Sequence, residues 1–307
     1  MKRDILVSEV GPRDGLQSIK SIMPLAAKKA WISALAASGL REIEVGSFVP
    51  AQVLPQLADT AEVVAHALTI PNLTVAVLVP NLRGAEAAVR AGAHKLTIPF
   101  SASETHSLKN VRRTHAQMFD EVRGIVALLA VQPAKTRPKL EGGLSTAFGC
   151  TYEGVVPADK VVALAEQLVS AGCDEVGLAD SVGFANPAQV RDLVVRVRAV
   201  TGKQRFAGLH LHNTRGLGLA NVVAGLEVEV DTFDSSMGGI GGCPFAPGAT
   251  GNIVTEDLVF MLEAMGLHTG IDFEKLMAAR TILAAAVPGE ELYGYVPAAG
   301  LPRGAVV

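Results

Sequence analysis

His210 and His212 stand two residues apart in the apolar run Phe206–His212. On a β-strand that spacing turns both imidazoles toward one face. Two imidazoles in one space either hydrogen-bond within a core or hold a metal. With oxygen donors such as Asp14 and Asn252 the set suits a divalent cation of the Mg²⁺, Mn²⁺ or Co²⁺ type. Arg13 and Asp14 follow Gly11-Pro12 at the end of another apolar run, where a tight turn alone would account for Gly, Pro and Asp. Glu44 sits between Ile43 and Val45. A carboxylate inside such a run is costly unless a cation or a function accompanies it, and Arg41 and a site arginine are both available partners. Cys243 lies in Gly241-Gly242-Cys243-Pro244-Phe245-Ala246-Pro247-Gly248, a stretch with no reason to be helix or strand. It reads as a loop that carries a thiol over the site. Cys150 and Cys173 fit the small buried hydrophobe better. His66, His94, His106, His115 and His268 lack such company and read as surface or packing residues.

These groups need elements to position them, and the chain offers a regular set. Strands are expected at Ile5–Val10, Glu42–Val45, Leu73–Leu78, Lys95–Ile98, Lys139–Ser145, Glu175–Leu178, Phe206–His212 and Thr232–Ser235. Helices are expected at Leu25–Ala37, Gln56–Leu68, Arg83–Ala91, Ser107–Leu129, Ala158–Ala171, Pro187–Val200, Thr214–Gly225 and Thr255–Met265. Gly39, Gly92 and Gly172 each close a helix just before a strand, and Asn186 precedes Pro187 as a cap. Eight strands alternating with helices over about 265 residues predict an α/β fold, a (β/α)8 TIM barrel. The barrel is expected over about 4–265, with 266–307, including a helix at Phe273–Ala285, as a C-terminal helical appendage to a single domain. Chemistry on such a barrel gathers at the C-terminal strand ends. Arg13, Asp14 and Gln17 follow strand one, Glu44 and Ser47 lie on strand two, Asp180 ends strand six, and His210 and His212 end strand seven.

Composition agrees and excludes other classes. Of 307 residues 49% are hydrophobic, only 5% aromatic and 19% charged, which suits an aliphatic sheet buried on both faces. Lys and Arg number 27 against 30 Asp and Glu, a net charge of −3, which argues against nucleic acid or an anionic membrane as partner. Three widely spaced cysteines imply no disulfide framework. No apolar stretch reaches the ~20 residues of a membrane span, and the first apolar run begins after four residues, so a cytoplasmic protein is expected.

Taken together, the segments Glu9-Val-Gly-Pro-Arg-Asp-Gly-Leu-Gln17, Ile43-Glu44, Ser47-Phe48-Val49, Pro80-Asn81-Leu82, Gly149-Cys150, Tyr152-Glu153-Gly154, His210-Leu-His212 and Gly241 to Gly248 leading to Asn252 resemble the 3-hydroxy-3-methylglutaryl-CoA lyase family. The likeness runs over about residues 4–285. It implies a metal-dependent retro-aldol (Claisen) cleavage of an acyl-CoA to acetyl-CoA and a keto acid such as acetoacetate. It assigns a divalent cation (Mg²⁺ or Mn²⁺) to Asp14, His210, His212 and Asn252. It gives Arg13 to the thioester, Cys243 to proton transfer, and Glu44 and Asp180 to the catalytic set, with Gln17 and Ser47 beside Arg13 as substrate contacts. An acyl-CoA is the expected small-molecule partner, and a homo-oligomer, dimer or tetramer, the expected assembly. Departures bear on substrate. Where the family carries an aromatic in strand five this chain reads Glu141-Gly142-Gly143-Leu144, and after the second histidine it reads Asn213-Thr214-Arg215. Citramalyl-CoA or a longer branched analogue is therefore an alternative substrate. A condensing synthase of the isopropylmalate type and a catalytically silent barrel are the alternatives in kind.

Overall fold

Apolar residues that alternate along each strand need a cover of helices on their outward side, and that requirement shapes the molecule. The computed structural model describes residues 4–241 and 251–304. Its eight strands are β1 (Leu6–Glu9), β2 (Glu42–Ser47), β3 (Thr74–Leu78), β4 (Lys95–Ser101), β5 (Lys139–Ser145), β6 (Glu175–Asp180), β7 (Phe206–Leu211) and β8 (Thr232–Ser235). They pair in parallel, in sequence order, and β8 closes on β1, giving a (β/α)8 barrel. Leu96, Ile98, Leu140 and Leu144 are fully buried. A Cβ placed on Gly142, between the last two, would meet Leu168 and Cys173, so this face of β5 packs against the following helix. The opposite face turns into the barrel, and at its N-terminal end it is ionic. There Lys95 Nζ lies 3.4, 2.7 and 3.0 Å from Glu42, Glu141 and Glu175.

The helices are α1 (Leu25–Ala37), α2 (Thr60–Ala67), α3 (Leu82–Ala91), α4 (Glu104–Asn110), α5 (His115–Ala130), α6 (Ala158–Ser170), α7 (Pro187–Thr201), α8 (Gly218–Glu227), α9 (Thr255–Ala264), α10 (Phe273–Ala286) and α11 (Tyr295–Ala299). Gly39, Gly92 and Gly172 have φ of +114°, +85° and +109°, the helix-closing geometry expected of them. Three expectations need correction. The single helix over Ser107–Leu129 is two, because Arg112 adopts φ +56° and Thr114 opens α5 with a capping box to Gln117. The helix expected from Thr214 starts at Gly218, since Asn213 Oδ1 accepts the Gly218 amide and holds a turn there. The helix expected from Gln56 starts at Thr60, after a 3-10 turn at Pro55–Leu57.

The C-terminal helices are tied back to the barrel. Asp272 N donates to Ser38 O at the end of α1 at 2.7 Å. Arg280 of α10 pairs with Glu256 of α9, and the amides of Tyr295 and Val296 cap onto Asp257.

Candidate active site

The turn after β1 is wider than an ordinary β-turn. The amides of Arg13, Asp14 and Gly15 all reach the carbonyl of Val10, at 3.1, 2.7 and 3.4 Å, and Gly11–Gly15 form one π-helical turn. Its floor is Glu9, which is fully buried. Glu9 Oε1 accepts the amides of Gly11 and Met237 at 2.9 Å each, and Oε2 accepts the Thr255 hydroxyl at 2.7 Å. A Cβ on Gly11 would stand 2.5 Å from Glu9 Oε1, so only glycine lets the carboxylate reach its own turn. Glu9 thereby joins the ends of β1 and β8 to the start of α9. Burial raises its pKa to about 8, against the partial opposition of those hydrogen bonds.

The turn presents Arg13 and Asp14 at the barrel mouth. Arg13 Nε donates to Glu44 Oε2 on β2 at 2.5 Å and Nη1 to Asp14 Oδ1 at 2.6 Å. The guanidinium is buried, which disfavours charge, but Glu44 and Asp14 outweigh that and raise its pKa. Of the two partners foreseen for Glu44 the structure selects Arg13. Gln17 Nε2 donates to Asp14 Oδ1 at 2.8 Å.

His210 and His212 do face one space, with their Nε2 atoms 3.1 Å apart and His210 Nε2 3.9 Å from Asp14 Oδ2. Asn252 arrives from a separate segment. Ile253 N donates to Leu211 O and Asn213 N to Gly251 O, so residues 251–253 lie along the end of β7 and set Asn252 beside His212. Its Nδ2 donates to Asp14 Oδ2 at 2.7 Å. Gly241 makes room, since with φ +115° a Cβ there would come within 2.3 Å of Asn252 Nδ2.

Asp14, His210 and His212 offer ligand atoms all within 4.8 Å of one another, the one such cluster among the described residues. Among the described residues Asn252 Oδ1 is buried without a hydrogen-bond partner, as are His212 Nδ1, Glu44 Oε1 and Ser47 Oγ. An unsatisfied buried polar atom costs about 1–3 kcal/mol, and Asn252 Oδ1 belongs to a side chain that already touches Asp14, where a cation would satisfy it. A donor set of two imidazoles, a carboxylate and an amide oxygen fits a divalent cation. Electrostatics agree. Burial raises the Asp14 pKa, but Arg13 and the two histidines outweigh it and hold it below the usual carboxylate range. His212 is pushed down to about 3 by burial and by His210, which keeps its imidazole neutral and able to ligate.

The remaining foreseen residues fall differently. Ser47 is buried at the end of β2, its backbone N and O both bonded to Thr60 Oγ1. Asp180 is turned into its own loop, where Oδ1 accepts the Phe184 amide at 2.8 Å and Oδ2 the Ala185 amide at 3.0 Å. Cys243 lies outside the described residues. Arg215 is bound to the same loop as Asp180, donating to the carbonyls of Val182 and Gly183 and stacking on Phe184 at 4.5 Å. Two carboxylates around the site carried no role in the sequence reading. Glu9 showed only as a charge just before Gly-Pro. Asp234 showed as the lone charge inside strand eight, and it accepts a hydrogen bond from His210 Nδ1 at 3.1 Å.

A closed parallel barrel that gathers an arginine–carboxylate pair and a donor set fit to hold a cation at the C-terminal strand ends has the form of a barrel-enzyme site. The sequence profile of the HMGL-like family matches residues 4–283. A curated hydroxymethylglutaryl-CoA lyase of Bacillus subtilis is 40% identical over 277 residues, 90% of this chain and 91% of its own. The cytoplasmic 3-hydroxy-3-methylglutaryl-CoA lyase of Rattus norvegicus is 38% identical over 92% of this chain and 81% of its own. A solved HMG-CoA lyase from Acinetobacter baumannii, in complex with coenzyme A and 3-methylmalate, is 40% identical and matches with a TM-score of 0.91, covering 99% of this chain and 97% of that one. The chain belongs to the HMGL-like family.

Proposed function

We propose that the protein is a metal-dependent carbon–carbon lyase that cleaves a 3-hydroxy-3-methylglutaryl-CoA-type thioester to acetyl-CoA and acetoacetate. One observation carries this reading: Arg13, clamped by Glu44, stands beside Asp14, His210, His212 and Asn252. Retro-Claisen cleavage breaks the bond between C2 and C3. The C3 hydroxyl loses its proton and becomes the keto group, the bonding pair passes to C2 as an acetyl-CoA enolate, and C2 takes up a proton. A divalent cation held by Asp14, His210, His212 and Asn252 supplies, when bound, the Lewis acidity that lowers the hydroxyl's pKa.

Arg13 brings a permanent positive charge to the thioester oxygen as enolate charge builds there, and its two carboxylate partners fix its direction before substrate arrives. Gln17, bonded to Asp14, and Ser47, with its free hydroxyl, are the nearby contacts for substrate. Cys243 delivers the final proton to C2. Asp180 holds the loop after β6 in shape and so acts as a positioning residue. No helix among the described residues is long and apolar enough to cross a membrane.

A second reading, cleavage of a longer branched substrate, is favoured by β5. Gly143, the register partner of Pro99 and Gly177, turns no side chain inward, and Thr97 Cγ2 stands 3.0 Å from where its Cβ would be. The deciding experiment offers purified protein, with Mn²⁺ or Mg²⁺, a panel of 3-hydroxy-3-methylglutaryl-, citramalyl- and longer 3-alkyl-3-hydroxyglutaryl-CoA and measures acetyl-CoA release. Highest kcat/KM on the first supports the proposal. No acetyl-CoA from any of them overturns it.

A further inference from the structure

Two histidines face the cation site, but only one is held from behind. His210 and Asp234 are register partners on β7 and β8, so their side chains enter the barrel side by side. His210 Nδ1 lies 3.1 Å from Asp234 Oδ2. A carboxylate can only accept, so the proton of this bond sits on Nδ1. That leaves Nε2 as the atom turned toward Asp14 and His212. Among the described residues His212 has no such support, since its Nδ1 is buried without a hydrogen-bond partner.

We infer that Asp234 is a positioning residue for cation binding, which fixes the tautomer and ring orientation of His210 so that Nε2 is the ligating nitrogen. The imidazole is a metal ligand only through a nitrogen that carries no proton, and a neutral histidine has one of each. Without a partner at Nδ1 the ring is free to place its proton on Nε2 and to rotate about its side-chain bonds. Both changes must then be reversed when a cation enters. Carboxylates that accept from a ligating histidine typically contribute about 10–100-fold to metal affinity. The asymmetry of the pair implies that this contribution reaches the site through His210, because no described residue performs the same task for His212. Asp234 takes no part in bonding substrate in this scheme. It works from below the His210 ring, and a saturating cation concentration should largely offset its loss.

The inference rests on the proposed cation site, and the test separates the two. Mn²⁺ affinity of the metal-free protein is measured by calorimetry for wild type and for Asp234→Ala, with thermal melts to confirm folding. Wild type should bind Mn²⁺, and Asp234→Ala should bind it about 10–100-fold more weakly. The variant's kcat should recover toward wild type as Mn²⁺ is raised, with the KM for the CoA ester little changed. Histidine ¹⁵N shifts of the metal-free wild type should show His210 with its proton on Nδ1, a readout that needs no variant. Wild-type protein that binds no Mn²⁺ overturns the cation site itself. Wild-type binding with an Asp234→Ala affinity within twofold of it, or a His210 that carries its proton on Nε2, overturns the role of Asp234.

Discussion

Arg13 Nε and Glu44 Oε2 lie 2.5 Å apart and join the turn after β1 to the body of β2. The side chains are 11% and 6% exposed, so the pair is withdrawn from water and little screened. With Asp14 on the opposite nitrogen, Arg13 is held in place by two carboxylates before any substrate binds. Preorganised charge of this kind acts on the transition state rather than on the ground state.

Arg13→Met should therefore lower kcat by about 10²–10³-fold, the usual loss for one preorganised donor. The KM for the CoA ester should move far less. Steady-state kinetics decide it: a raised KM with kcat intact would place Arg13 in ground-state binding alone.

Glu44→Ala leaves the buried guanidinium with Asp14 as its remaining hydrogen-bonded carboxylate among the described residues. Breaking a buried pair costs about 3–5 kcal/mol, and the retained Asp14 contact puts this case near 3. Urea titration would read it as a lower midpoint, together with a drop in kcat from a misdirected Arg13. A variant with wild-type midpoint would show that the pair contributes nothing net.

Removal of divalent cations by a chelator should abolish turnover, and Mn²⁺ or Mg²⁺ should restore it. Binding to the folded state alone also stabilises it, by about 2.7 kcal/mol at a hundredfold excess over Kd. A melting temperature raised by a few degrees with Mn²⁺ is the matching thermal result. Full activity in a preparation shown to be metal-free would rule the cation out.

Glu9 links stability to pH. Its folded pKa is about 8, raised above the ordinary 4.5 mainly by burial, so the folded state holds its proton more tightly than the unfolded chain does. This stability is fully present below about pH 4.5 and declines as pH rises through about 8. Glu9→Gln presents the same shape as the protonated acid: Oε1 accepts the two amides and Nε2 donates to Thr255 Oγ1, whose own proton turns to Ser235 Oγ, 2.8 Å away. Its melting temperature should fall less between pH 6 and about 9 than that of wild type. Parallel melting curves for the two proteins across that interval would refute the assignment.

Cys243→Ser should cut kcat by about 10²–10⁴-fold, the range for loss of a general acid, with an unchanged thermal melt. Single-turnover release of acetyl-CoA at wild-type rate would remove the thiol from the mechanism.

Much of this was legible in the chain. Strand and helix alternation, punctuated by Gly39, Gly92 and Gly172, was sufficient for an eight-stranded barrel, because the hydrophobic period and helix termination are local properties. His210 and His212 could be placed on one face for the same reason, since a spacing of two needs no knowledge of the rest of the molecule. The pairing of Glu44 was not legible, because Arg41 and an unspecified site arginine both stood as candidates until barrel closure brought the turn after β1, with Arg13, against β2. Arg112 hid the division of α4 from α5, because its left-handed φ is set by the restart at Thr114 rather than by its own preference.

What the sequence by itself determined is therefore the kind of fold and the residue types gathered at the strand ends. What only the tertiary structure decided is who holds whom. Asn252 meets Asp14 across 238 positions of chain, and Glu9 meets Met237 across 228. Asp234 meets His210 because β7 and β8 run in one register. Each of these contacts is non-local: its direction and distance follow from closure of the barrel, and no short-range pattern in the chain encodes them.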